Sequence, residues 1–271
     1  MAALRRRRER EDSGTCLVEG YEELALAMDA GAIPEVVLHC AELMLDPAAQ
    51  LPLVERARSL GAQTWEVARA AFEKTAYREG PDGFLAVVPT PGLPLAQVTL
   101  PPDPLVLLCE GIEKPGNLGA MLRTADAAGI DLVVAVDPVT DWGNPNVVRG
   151  SKATVFSVPV ASATLGETIA WLADHGVRHL ATTPDTETVH TDVDWSGPVA
   201  FSVGTEKYGL TDAALEAADE AGSQWVFVPQ LAQQRQLTGR RLAFLFRRGV
   251  AGGEIAQYDS DPFADAGAGS E

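Results

Sequence analysis

Three side chains in this sequence have types and spacing that could do chemistry together: Asn117 and Arg123 in residues 113–129, EKPGNLGAMLRTADAAG, and Glu206 in residues 204–215, GTEKYGLTDAAL. A guanidinium stays protonated at ordinary pH, so Arg123 suits binding a phosphate and stabilising negative charge that develops during a reaction better than removing a proton. The Asn117 amide can orient such a group or a substrate hydroxyl. Glu206 could hold Arg123 in a two-point carboxylate pair; equally, it could be an acid in the first turn of a helix, favoured there by the dipole.

Residues 105–109, LVLLC, form a short continuous apolar run, which suits a strand covered on both faces of a parallel sheet. Pro115-Gly116 breaks that run. Asn117 is the expected N-cap of the next helix; Leu118, Met121, Leu122 and Ala125 recur at helical spacing, and Gly129 stands where a helix ends. Arg123 lies off that stripe. The same order returns at 199–203, an apolar strand followed by Gly204. Strand, tight turn and helix start together present backbone N–H groups at the carboxyl edge of a sheet, where open α/β folds bind ligands and anions are favoured. Spacing alone also allows a capped helix carrying a solvated arginine.

The surrounding organisation is α/β. Residues 21–28 and 53–60 read as amphipathic helices and 35–39 and 84–88 as strands, a small α/β unit over 1–89. Residues 90–104 contain Pro91, Pro94, Pro101, Pro102 and Pro104 and are expected to be a linker. From there to 256, strands expected at 105–109, 132–136, 156–160, 179–182, 199–203 and 226–228 alternate with helical segments, which implies a mostly parallel sheet with helices on both faces. Residues 257–271 are acidic, rich in small residues and expected to form a flexible tail. No glycine-rich dinucleotide fingerprint opens a helix after a strand, and no Walker lysine motif is present.

At 46% hydrophobic and 22% charged, the 271 residues have the composition of a globular protein. No run is long and apolar enough to span a bilayer and the start lacks an apolar signal core, so membrane attachment is not expected and residence in the cytoplasm is. Cys16, Cys40 and Cys109 lack zinc-site spacing, and Gly176 separates His175 from His179, so no metal site is expected. The net charge of −17 opposes binding a polyanion, but it is unevenly spread. Arg5, Arg6, Arg7, Arg8 and Arg10 form a basic leader within residues 1–12, and Arg235, Arg240, Arg241, Arg247 and Arg248 a second cluster. These read either as two basic patches for RNA or as solvated charges.

The paired segments, N-x-G-A-x-x-R-T-A and then G-T-E-K-x-G-L, resemble the SpoU (TrmH) branch of the knotted SPOUT RNA methyltransferases, as do residues 144–160, NPNVVRGSKATVFSVPV, and 17–24, LVEGYEEL. The resemblance runs to about Leu231. It implies a SPOUT methyltransferase domain over 105–256 with a deep trefoil knot, preceded by a ribosomal-protein-like substrate-binding domain over 1–89. It further implies a homodimer joined through the knot region, with S-adenosyl-L-methionine as cofactor and methyl transfer to a ribose 2′-hydroxyl of RNA. Ribosomal RNA, 23S above all, is favoured over transfer RNA because of the added N-terminal module. Carried over residue by residue, the resemblance assigns catalysis to Arg123, Asn117 and Glu206. It assigns the cofactor to Gly204, Thr205, Gly209, Leu210, Val228, Pro229, Leu231, Leu237 and Thr238. Arg5, Arg6, Arg7, Arg8 and Arg149 are the expected RNA contacts.

One segment departs from the family. Where relatives carry Ser-Leu-Asn-Val-Ser, this chain has QLTGRRL, residues 236–242; Leu237 matches, Thr238 stands at the asparagine position and Arg240 at the second serine. Gly239 costs a helix interior about 1 kcal/mol against alanine. The alternative this raises is a catalytically weak or inactive RNA-binding member of the same fold.

Overall fold

The computed structural model of the chain describes residues 1–220 and 224–226. Its N-terminal third builds a four-stranded sheet in the order β1-β4-β2-β3 from β1 (Thr15–Glu19), β2 (Val36–His39), β3 (Gln63–Glu66) and β4 (Phe84–Pro89). Central β4 is buried at every residue but the last, as its unbroken apolar sequence requires; edge strand β3 is mostly exposed, and its weak pattern hid it from the sequence reading. Helix α1 (Arg7–Ser13) precedes the sheet, and α2 (Tyr21–Asp29), α3 (Pro47–Ser59) and α4 (Arg69–Thr75) connect its strands. Helix α3 begins earlier than expected. Asp46 caps the Ala48 and Ala49 N–H groups with Pro47 at the first helical position, and the helix runs on through Pro52.

The second sheet has seven strands in the order β11-β9-β10-β6-β7-β8-β5, every pairing parallel. They are β5 (Leu93–Pro94), β6 (Leu105–Glu110), β7 (Leu132–Val136), β8 (Val160–Ala163), β9 (Arg178–Thr182), β10 (Val199–Val203) and β11 (Gln224–Val226). Strands β6, β7 and β10 are buried throughout, so neither face of the sheet centre meets water. Helices α5 (Pro115–Ala128), α6 (Pro145–Gly150), α7 (Leu165–Asp174) and α8 (Asp212–Glu220) alternate with them. Leu118, Met121 and Leu122 of α5 join the core on one face, whereas Trp171 and Leu172 of α7 join the core on the other.

Two expectations are corrected. Within residues 90–104, where the prolines were expected to interrupt any regular element, Leu93–Pro94 add an edge strand beside β8, where prolines are tolerated. The strand expected at 156–160 begins only at Val160, because positive φ at Lys152 and Ala153 turns the chain into a 3-10 segment, Thr154–Phe156, first. No helix among the described residues is long and apolar enough to cross a membrane. The segment expected to form a knot, the acidic tail and the second arginine cluster fall outside the described residues.

The basic leader is folded. Arg10 is 3% exposed; its Nε and Nη2 donate to the two Asp141 carboxylate oxygens at 2.8 and 2.5 Å, and its Nη1 to the Leu4 carbonyl at 2.8 Å. Asp141 precedes α6, so this two-point pair ties the leader to the loop between β7 and α6. Truncating one partner of a buried pair strands the other charge. Arg10→Met is therefore expected to lower the unfolding free energy by about 3 kcal/mol, read as a lower urea midpoint with unchanged slope; an unmoved midpoint would show that the clasp contributes nothing.

Candidate functional site

Neighbouring strands β6 and β10 end within one residue of each other, with Cys109 opposite Val203, and so bring the segments after them together at the carboxyl edge of the parallel sheet. Lys114 is the N-cap of α5 and Pro115 its first residue, which places Asn117 inside the first turn instead of at the expected cap. Lys114 Nζ reaches Glu206 Oε2 at 2.8 Å across 92 residues of sequence. The expected Glu206 pair with Arg123 is thus replaced by one with Lys114. The Lys114 hydrogen bond and charge, with a further hydrogen bond from Asn117, hold the Glu206 carboxyl below its ordinary range. Side chains 68% and 56% exposed make this pair an orienting contact more than a stabilising one.

Residues 204–211 form a closed loop. Thr205 and Gly209 exchange two backbone hydrogen bonds, 2.9 and 3.0 Å, and the Tyr208 N–H donates to Thr205 Oγ1 at 3.1 Å. Gly209 has φ +72°, and a Cβ built on Gly204 would overlap the Gly209 carbonyl and the Leu210 nitrogen. Leu210 packs with Ala181, Ala214 and Ala218, so its side chain faces the protein. Glu110, buried at the end of β6, accepts from the Thr211 N–H at 3.0 Å and from the Thr211 hydroxyl at 2.6 Å. The same hydroxyl accepts from the Ala214 N–H and so caps α8. Sequence reasoning missed Glu110 and Thr211. The available signal was an acid ending an apolar run, since a buried carboxylate must find donors.

Arg123 is exposed on α5, with no hydrogen-bond or ion-pair partner among the described residues. One turn earlier, a Cβ on Gly119 would meet Gly150 C at 2.6 Å and Ser151 N at 2.7 Å, so α5 and α6 cross at a distance only glycine allows. Arg149, exposed in the last turn of α6, therefore stands near the same crossing as Arg123. The leader arginines are engaged differently. Arg6 pairs with Glu9, Arg7 with Glu11 and Arg8 with Asp12, while Arg5 donates to the Thr75 and Ala76 carbonyls.

Val228, Pro229, Leu231, Leu237 and Thr238, with the divergent 236–242 segment, lie outside the described residues. Among the described residues no three His, Cys, Asp or Glu side chains group as a metal site. Cys16, Cys40 and Cys109 are buried free thiols; desolvation pushes Cys16 and Cys109 up to about 12, which keeps them protonated and inert. His179, beside Ser202 in the sheet, is pushed down to about 4 by burial.

A parallel sheet whose two central loops meet in this way defines a class of ligand-binding α/β protein, and comparison with known proteins specifies it. Residues 104–236 match the SpoU rRNA Methylase family and residues 1–86 the MRM3-like substrate binding domain. A solved RNA 2′-O ribose methyltransferase is 32% identical, with TM-score 0.72, over 91% of this chain and 92% of that one. An AdoMet-bound rRNA methyltransferase from Sinorhizobium meliloti is 25% identical with TM-score 0.76, covering 90% of each chain. The Bacillus subtilis 23S rRNA (guanosine(2553)-2′-O)-methyltransferase RlmP is 29% identical over 80% of this chain and 82% of its own length. The chain belongs to the SpoU rRNA methylase family.

Proposed function

We propose that this protein transfers the methyl group of S-adenosylmethionine to a ribose 2′-hydroxyl of 23S ribosomal RNA, acting as a homodimer in the cytoplasm. The observation that carries the reading is the junction of Lys114, Asn117 and Glu206, which brings the two motif segments to one end of one sheet. When bound, the cofactor supplies an electrophilic methyl on a positive sulfonium. The closed loop fits such a group, because a Gly204 side chain would collide with backbone and Thr205 and Gly209 fix the turn. Gly204, Thr205, Gly209 and the Leu210 backbone would hold it, completed by Val228, Pro229, Leu231, Leu237 and Thr238.

The protein's task is then alignment and charge management. Arg123 binds the phosphate beside the reacting ribose and stabilises negative charge on the 2′-oxygen as its proton passes to solvent water; Asn117 and Glu206 set the entrance, with Lys114 fixing the carboxylate. Residues 1–89 present the RNA, residues 105–256 carry the transfer, and Arg149 contributes a phosphate contact. The alternative of a non-catalytic RNA-binding protein is not favoured, because relatives on this fold are named as 2′-O-methyltransferases.

Calorimetric titration with S-adenosylmethionine, followed by transfer of a labelled methyl group to 23S ribosomal RNA, tests the reading. Saturable binding and label that makes one phosphodiester resistant to alkali are expected, since a methylated 2′-oxygen cannot attack its neighbour. Label confined to a base would remove the ribose assignment, and absence of cofactor binding would restore the non-catalytic alternative.

A further inference from the structure

The loop between α4 and β4 carries a tyrosine, Tyr77, that remains 39% exposed at the seam between the two sheets. Its backbone is fixed: the Tyr77 N–H donates to Glu19 Oε2 at 3.0 Å and the next N–H, of Arg78, donates to the same oxygen at 3.1 Å. Its hydroxyl accepts from Asn146 Nδ2 of α6 at 3.0 Å. The Arg5 guanidinium lies 5.6 Å from the ring centroid, held there by hydrogen bonds of 2.9 and 2.8 Å to the Thr75 and Ala76 carbonyls. A large ring is therefore immobilised at its backbone, its hydroxyl and its Arg5 contact while much of its surface stays open to water.

The ring also lies at the end of a short run of polar side chains. Asn146, which fixes the Tyr77 hydroxyl, accepts a weak hydrogen bond from Arg149 Nη2 at 3.4 Å. The next residue, Gly150, packs against Gly116 and Gly119 at the start of α5, one turn before Arg123. Hydrogen bonds link Tyr77, Asn146 and Arg149 in that order, and the glycine crossing leads on to α5, the helix that bears Arg123. Rigid exposed aromatics with cations alongside are how proteins hold unpaired nucleobases, because every base has a face to stack and its phosphate a charge to meet.

We propose that Tyr77 is a stacking platform for an unpaired base of the RNA substrate, with Arg149 binding a neighbouring phosphate and Arg5 serving as a brace for the ring. The proposal rests on the RNA methyltransferase reading above. It assigns Arg5 an indirect part, because both carbonyls and the ring already occupy its guanidinium.

Filter binding of a 23S ribosomal RNA transcript, with S-adenosylhomocysteine affinity and melting temperature measured in parallel, separates a platform from a simple seam contact. Tyr77→Leu removes the ring and is expected to weaken RNA binding about tenfold, the loss of one aromatic partner for one base. Tyr77→Phe keeps the ring and loses only the Asn146 bond, so it should bind RNA within about twofold of the unaltered protein. Cofactor affinity and melting temperature should hold in both. A Tyr77→Leu protein that binds RNA normally while the unaltered protein methylates it overturns the platform alone. A Tyr77→Phe protein as weak as Tyr77→Leu and less stable to heat also overturns it, because the hydroxyl would then be what matters. An unaltered protein that binds cofactor but neither binds nor methylates RNA overturns the functional reading, and the platform with it.

Discussion

Arg123→Ala is expected to lower methyl transfer at least about a hundredfold, the scale of losing one charge-stabilising group in a reaction, with cofactor affinity and thermal stability unchanged. Stability should hold because Arg123 is exposed on α5, off the stripe of Leu118, Met121, Leu122 and Ala125 that anchors the helix. Nothing in the packing of α5 calls for a guanidinium at that position, so the group is available to substrate. Arg123→Lys keeps the charge but loses the planar fork, and should recover part of the activity without reaching the starting level. Single-turnover rates at saturating RNA and cofactor make the measurement, since they separate transfer from binding. A full rate in Arg123→Ala would assign charge stabilisation to another residue, whatever the fold.

Patterns within a few residues of one another were legible. The runs at 105–109 and 199–203 gave strands because a strand buried on both faces has no polar positions, and the α5 stripe gave its buried face through helical period. What failed depended on partners distant in sequence. One reading sets Glu206 against Arg123, but Lys114, the N-cap of α5, stands beside it, because β6 and β10 are neighbours that end within one residue of each other. Arg10 reads with its neighbours as part of one basic cluster, either a patch for RNA or solvated charge, although an aspartate on the far side of the seam, Asp141, draws it inside.

Some errors were avoidable from local chemistry. Pro115 marks the first helical residue by its fixed φ and missing N–H, which moves the cap back to Lys114 and puts Asn117 inside the turn. The pairs of Arg7 with Glu11 and Arg8 with Asp12 lie at helical spacing in the leader itself, so its charge is largely balanced within α1. That balance is a reason to place the RNA contact at Tyr77 and Arg149 and not along the leader helix.

The two loop glycines differ in a way that makes a sharp prediction about the proposed cofactor site. Gly204→Ala is expected to abolish measurable S-adenosylmethionine binding, a loss of about a hundredfold or more, because its methyl would occupy the space of the Gly209 carbonyl and the Leu210 nitrogen. Both are backbone atoms, so no rotamer relieves the overlap; the loop must open and give up the Thr205–Gly209 pair, whose bonds contribute about 1 kcal/mol each. Gly209→Ala meets no atom within 4 Å, and its only penalty is φ +72°, a strain of roughly 1–2 kcal/mol for a side-chain-bearing residue. It should weaken binding mildly. The hold of Glu110 on Thr211 lies just beyond the loop and should keep α8 in place in both variants, so calorimetry reads the loop and not a general collapse of the fold. Equal effects of the two substitutions, or the larger effect at Gly209, would show that the steric closure at Gly204 does not shape the cofactor site.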